Sequence, residues 1–117
     1  MLTHEEDGEV TGLCYLGNFS LMYVFLTKLK TLNLKNGKVK IIHQSDKKIT
    51  ASTIVDSQKH LISLGLDNGV IKDFDSKTQQ VIRKATLHKS RVNLLYSRGQ
   101  YLISACADKV IVYDCVS

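Results

Sequence analysis

Two groupings in this 117-residue chain hold the residue types of nucleophilic catalysis. His43, Ser63 and Asp67 recur as His88, Ser104 and Asp108, with the serine four residues before the aspartate in each set. A serine deprotonated by a histidine that a carboxylate orients could attack an acyl centre. Such chemistry also needs an exposed nucleophile, a pocket and oxyanion donors. Neither serine lies on a Gly-x-Ser-x-Gly elbow, and the trio returns after some forty residues, as a structural repeat would dictate. The groupings therefore read as internal hydrogen-bond braces, and no catalytic residue is expected. Asp73-Phe74-Asp75, Asp67-Asn68-Gly69 and His4-Glu5-Glu6 lack the further ligands of sugar-nucleotide, calcium and zincin sites, so neither a metal nor a cofactor is expected.

The elements that would position these groups are strands. Apolar residues alternate with polar ones in runs of five to seven, and no window carries a helical stripe. The runs are Val10–Leu16, Ser20–Leu26, Lys28–Asn33 and Lys38–Ile42, then Ile49–Val55, Leu61–Leu66, Val70–Phe74 and Gln80–Ala85, and finally Val92–Tyr96, Tyr101–Cys106 and Val110–Cys115. Turns fall at Gly17-Asn18, Lys35-Asn36-Gly37, Asp56–Lys59, Asp67-Asn68-Gly69, Ser76–Thr78, Ser97–Gln100 and Asp108-Lys109. Eleven strands in three copies, approximately 4–42, 43–87 and 88–117, predict an all-β fold. Its units are four-stranded antiparallel propeller blades, about 2.75 of them.

The order histidine, serine, turn aspartate and closing aromatic-aspartate pair resembles the WD40 repeat. Phe74-Asp75 and Tyr113-Asp114 stand where Trp-Asp closes that family's third strand; the first copy keeps His4, with Leu32-Asn33 at the close and Thr27 at the turn aspartate's place. The chain departs from the family in lacking tryptophan and in carrying Thr3, Ile42 and Leu87 where a glycine usually precedes the histidine. By this resemblance, His43, Ser63, Asp67 and Phe74 form one brace, and His88, Ser104, Asp108 and Tyr113 another. Phe74 cannot donate the last hydrogen bond, and Tyr113 carries its hydroxyl at the far end of the ring. A weakened propeller is expected, weakest in its first copy. Fewer than three blades cannot close a ring, so the expectation is a fragment of a longer propeller, with an oligomeric partner as the alternative.

The resemblance implies a non-catalytic protein-interaction scaffold. The loops before the first strands and the turns after the second strands would share one rim, with Lys47, Lys48, Asn68, Lys89, Arg91 and Lys109 as candidate contacts for an acidic or phosphorylated peptide. Charge is uneven as well: seven lysines and a single aspartate lie between residues 28 and 48, within a net charge of +5. Lys28, Lys30, Lys38 and Lys40 are spaced as on the wet face of strands, although the stripe could instead attract a polyanion. RNA or phosphoinositide binding is the alternative reading. It lacks interleaved aromatics for base stacking, and Arg83, Arg91 and Arg98 are scattered. No apolar run approaches the ~20 residues of a membrane span. Cys14, Cys106 and Cys115 lack metal or disulfide spacing and read as buried thiols, in keeping with a cytoplasmic or nuclear protein.

Overall fold

A computed structural model describes residues 3–55 and 60–114. Eleven strands are seen among them, in three sheets that are each a simple meander. Blade 1 holds β1 (Val10–Gly17), β2 (Ser20–Phe25), β3 (Lys28–Asn33) and β4 (Val39–Gln44). Blade 2 holds β5 (Ile49–Ile54), β6 (Leu61–Leu66), β7 (Val70–Asp75) and β8 (Gln80–Thr86), and blade 3 holds β9 (Leu94–Arg98), β10 (Tyr101–Ala105) and β11 (Val110–Asp114). The fold is the all-β partial propeller that the strand pattern predicts. The predicted turn at Asp56–Lys59 and the end of the last strand at Cys115 lie outside the described residues.

Strand starts agree with the sequence pattern to within two residues, because the alternation and the turn chemistry act together. The turn Asp67-Asn68-Gly69 depends on Gly69, whose φ is +87°. A Cβ on Gly69 would also stand 2.0 Å from the His88 carbonyl oxygen, so this turn is pressed against the loop entering blade 3. Glycine alone fits both requirements.

Each sheet has a leading face toward the next blade and a trailing face toward the one before. Side chains alternate between the two. Met22, Val24 and Leu29 lead from blade 1 and pack on Ile62, Leu64, Leu66, Val70 and Phe74, which trail from blade 2. Ala51 and Ile71 lead from blade 2 and meet Val92, Leu87 and Leu95. The first strands sit innermost, with β1 beside β5 and β5 beside β9.

Two backbone hydrogen bonds repeat at the joints. Ile49 N–H donates to the Leu26 carbonyl (2.9 Å), and Val92 N–H donates to the Leu66 carbonyl (3.1 Å). The side chains repeat too: the Thr11 hydroxyl donates to the Ile49 carbonyl (3.2 Å) and the Thr50 hydroxyl to the Val92 carbonyl (2.6 Å). These bonds make Val10, Ile49 and Val92 equivalent positions in the three blades.

Packing at the second joint is tight enough to test. A Cβ added to Gly65 would lie 2.6 Å from Cγ1 and 2.7 Å from Cβ of the buried Val92. Gly65→Ala is expected to cost about 1–3 kcal/mol in urea unfolding through overpacking. Val92→Ala in the same chain should recover part of that loss.

Candidate functional site

The proposed braces are best judged by the face each residue occupies. In blade 2, Ile62 pairs with Phe74 and Ser63 with Asp73. Phe74 therefore trails toward blade 1, whereas Ser63 leads toward blade 3. His43 belongs to β4 of blade 1, opposite Leu29, and its ring meets Phe74 with centroids 5.0 Å apart. It reaches the aromatic residue from the wrong side to meet Ser63. His43 Nε2 and Ser63 Oγ are both buried without a hydrogen-bond partner. The expected brace through His43, Ser63, Asp67 and Phe74 is thus split between two faces of one sheet, and Asp67 is exposed in its turn. An indole at position 74 would be equally unable to reach Ser63.

In blade 3, Leu102 pairs with Tyr113 and Ser104 with Ile111, so Ser104 and Tyr113 share the trailing face. His88 Nε2 lies 2.8 Å from Ser104 Oγ, both residues buried. Asp108 does not complete the chain: His88 Nδ1 has no partner, and Asp108 accepts a hydrogen bond from the Cys106 thiol (3.3 Å). Burial, with a smaller contribution from Lys109, lowers the His88 pKa against the opposing pull of Asp108, which favours neutral imidazole. Burial and the Lys72 ammonium do the same to His43. Neither histidine has the orienting carboxylate bond of a general base, and both serines are fully buried.

Equivalent positions reveal the brace that the sequence concealed. Four residues before Val10, Ile49 and Val92 stand Glu6, Ser45 and His88. The latter two make matching bonds to the preceding blade, Ser45 N–H to the Thr27 carbonyl (2.7 Å) and His88 N–H to the Gly69 carbonyl (3.2 Å). Each side chain then reaches the middle of its own blade's trailing face. Glu6 accepts one hydrogen bond from the Tyr23 hydroxyl, and its two carboxylate oxygens each lie 2.9 Å from Lys30 Nζ. The Ser45 hydroxyl oxygen accepts one from the buried Lys72 Nζ (3.1 Å). His88 meets Ser104. By register Tyr23, Leu64 and Ser104 are equivalent, as are Lys30, Lys72 and Ile111. The position is constant while its chemistry changes from carboxylate to hydroxyl to imidazole.

Blade 1, expected to be the least braced, therefore carries the most charged brace. Lys30 is not on a wet face: its side chain lies under Glu6 and 4.8 Å from the Phe25 ring centroid. The Tyr23, Lys30 and His4 hydrogen bonds lower the Glu6 pKa from 4.5 to about 2.

The partner-binding candidates gather at one rim. Lys47, Lys89, Arg91, Asn68 and Lys109 are exposed and Lys48 is half-buried. Asn68 spends its side-chain oxygen on the Val70 N–H (3.3 Å). The rim is less basic than expected, since Glu9, Asp46, Asp67 and Asp108 are also exposed along it. Its cationic character concentrates in a groove of about 230 Å³ at the inner ends of the first strands, lined by Glu9, Thr11, Lys48, Thr50, Arg91 and Asn93. Glu9, Lys48 and Arg91 hold equivalent positions in the three blades, and Thr11, Thr50 and Asn93 form a second tier beneath them. Lys48 Nζ is 4.0 Å from Glu9, and Arg91 Nε donates to Asn93 Oδ1 (3.3 Å). Two cations against one carboxylate, with the Asn93 amide below, suit an anionic group, whereas the Thr11 and Thr50 hydroxyls are already committed to the Ile49 and Val92 carbonyls. Only Lys48 and Arg91 of this set were apparent from the sequence, because Glu9, Thr11, Thr50 and Asn93 become neighbours only through blade stacking.

The two polar braces respond to pH in defined directions. A carboxyl held below its ordinary value stabilises the fold fully above pH 4.5 and loses that contribution as pH falls toward 2. Glu6→Gln should lower the urea midpoint at pH 7 and converge with the parent protein through that acid window. The depressed His88 pKa makes stability fall as pH drops below 6.5, where the unfolded state binds the proton more readily. Thermal melts of His88→Gln should show a flatter slope there.

No protein-family profile and no curated protein matches the chain. Solved structures do. A chain of the "Crystal Structure of Mitotic Checkpoint Complex" superposes with a TM-score of 0.72 at 19% identity, covering 82% of this chain and 30% of that one. The computationally designed Ika4 protein gives 0.73 at 25% identity, over 93% of this chain and 68% of its own. The designed Ika8 protein gives 0.73 at 24%, over 94% and 34%. The chain thus spans about a third of the first and last of these neighbours, and what they share with it is propeller architecture.

Proposed function

We propose that this chain is a non-catalytic protein-interaction scaffold of the WD40-repeat type, which holds an acidic or phosphorylated peptide at the groove between β5 and β9. The observation that carries this reading is the placement of Lys48 and Arg91 at equivalent inner-strand positions of adjacent blades, facing one groove with a single carboxylate. A phosphate or carboxylate between them would gain charge-assisted hydrogen bonds, and the Asn93 side-chain amide N–H would add a further donor. Lys47 and Lys89, one residue earlier in each loop, would steer approach from outside. The burial of Ser63 and Ser104, and the lack of an orienting carboxylate bond on His88, argue against an acyl-transfer site in the same blades. A cytoplasmic or nuclear setting suits the unpaired thiols of Cys14 and Cys106.

Fluorescence anisotropy with a phosphoserine-containing acidic peptide tests the assignment. Lys48→Glu and Arg91→Glu should each weaken binding about tenfold or more, in line with the loss of one charge-assisted contact. Binding that survives both reversals removes the site. Heparin retention unchanged by either variant would transfer the polyanion-binding role to the exposed Lys35, Lys38 and Lys40 of blade 1.

A further inference from the structure

The outer faces of blades 1 and 3 are the two halves of a joint that the molecule already makes twice. On the leading face, register places Leu29, Ile71 and Val110 at the same position in successive blades. Leu29 is 0% exposed and Ile71 4%, each covered by the next blade, whereas Val110 is 67% exposed. Val112 and Tyr96 stand beside Val110 on that face, also exposed. On the trailing face of blade 1, Leu13 and Tyr15 are exposed above Tyr23 and Leu21, while Leu95, the blade 3 equivalent of Leu13, is packed against blade 2.

Charge points the same way. Lys48 already sits beside Glu9 across the first joint. A blade equivalent to blade 1, placed after blade 3 by the same step, would set its Glu9 beside Arg91. The rim would then read Glu9, Lys48, Arg91 and again Glu9, with each carboxylate between two cations. A second copy of this chain presents that blade.

We infer that the chain self-associates head to tail, the leading face of blade 3 in one copy packing on the trailing face of blade 1 in another. Two copies bring six blades together, within the range of about four to eight in which propellers close. The interface is heterologous, because different surfaces meet at each contact, and two such contacts related by a twofold axis close the dimer. The segment Thr3–Glu5, which precedes the Glu6 brace as His43 and Gln44 precede Ser45, then runs toward the edge of β11 in the other copy.

Sedimentation velocity on the full chain tests this. A dimer of twice 13.1 kDa is expected at micromolar concentration, and a monomer at that concentration overturns the proposal. Leu13→Glu and Val112→Glu alter exposed positions on opposite outer faces, and far-ultraviolet circular dichroism confirms that each variant keeps its sheets. Each variant alone should be monomeric. Mixed together they should associate 1:1, more weakly than the parent dimer, because the intact blade 3 face of one variant fits the intact blade 1 face of the other while the second contact carries both glutamates and stays open. Homodimers of either variant alone, or no association on mixing, would overturn the head-to-tail arrangement.

Discussion

Everything in this molecule follows from the inability of a single blade to bury both of its faces. A four-stranded meander has apolar side chains on each side, so its stability is realised only when neighbours cover it. The joint that enforces this is small and repeated: an amide at Ile49 or Val92 reaches back to the carbonyl at the end of the previous blade's second strand, at Leu26 or Leu66. A threonine hydroxyl ties the adjoining inner strands at the same point. These bonds set the spacing at which Met22, Val24 and Leu29 meet Ile62, Leu64 and Phe74, and that packing holds most of the core.

Within this frame a single structural task is performed by three chemistries. The loop entering each blade must attach itself to the middle of the sheet, and a buried polar group there has to find a partner. Glu6 finds Tyr23 and Lys30, Ser45 finds Lys72, and His88 finds Ser104. In each pair donor and acceptor are matched: the carboxylate and the hydroxyl each accept from an ammonium, and the imidazole meets a hydroxyl. The same freedom is seen one turn away at the groove, where Glu9, Lys48 and Arg91 share a position and differ in sign.

Strands, turns and the propeller class were legible because alternation and turn residues are local signals. Val70–Asp75 and Lys28–Asn33 start where their patterns start. Of the expected braces, only the His88–Ser104 contact in blade 3 is seen, and Asp108 stands apart from it. In blade 2, the serine-aspartate spacing that matches blade 3 conceals a difference in turn length. Leu66 and Val70 flank three turn residues, whereas Cys106 and Lys109 flank two. A one-residue change in register moves a side chain to the other face, which is why Ser63 points away from His43. The true equivalent of His88 is Ser45, whose partner Lys72 has no counterpart in the resemblance, so no motif could have found it. The groove was half legible: its two cations stood out, but their neighbours come from strands far apart in sequence.

The meander topology also bears on how this chain acquires its shape. Every described strand pairs only with strands adjacent to it in sequence. Hairpin closure across short turns takes microseconds and costs little chain entropy. The two blade joints, by contrast, link residues farther apart, Leu26 with Ile49 and Leu66 with Val92, so docking carries a larger loop-closure cost than any hairpin. Until docking, rows of valine, leucine and tyrosine remain in water on paired but unstacked ribbons. The interval between pairing and docking is the time during which a nascent chain is most exposed to association with the wrong surface.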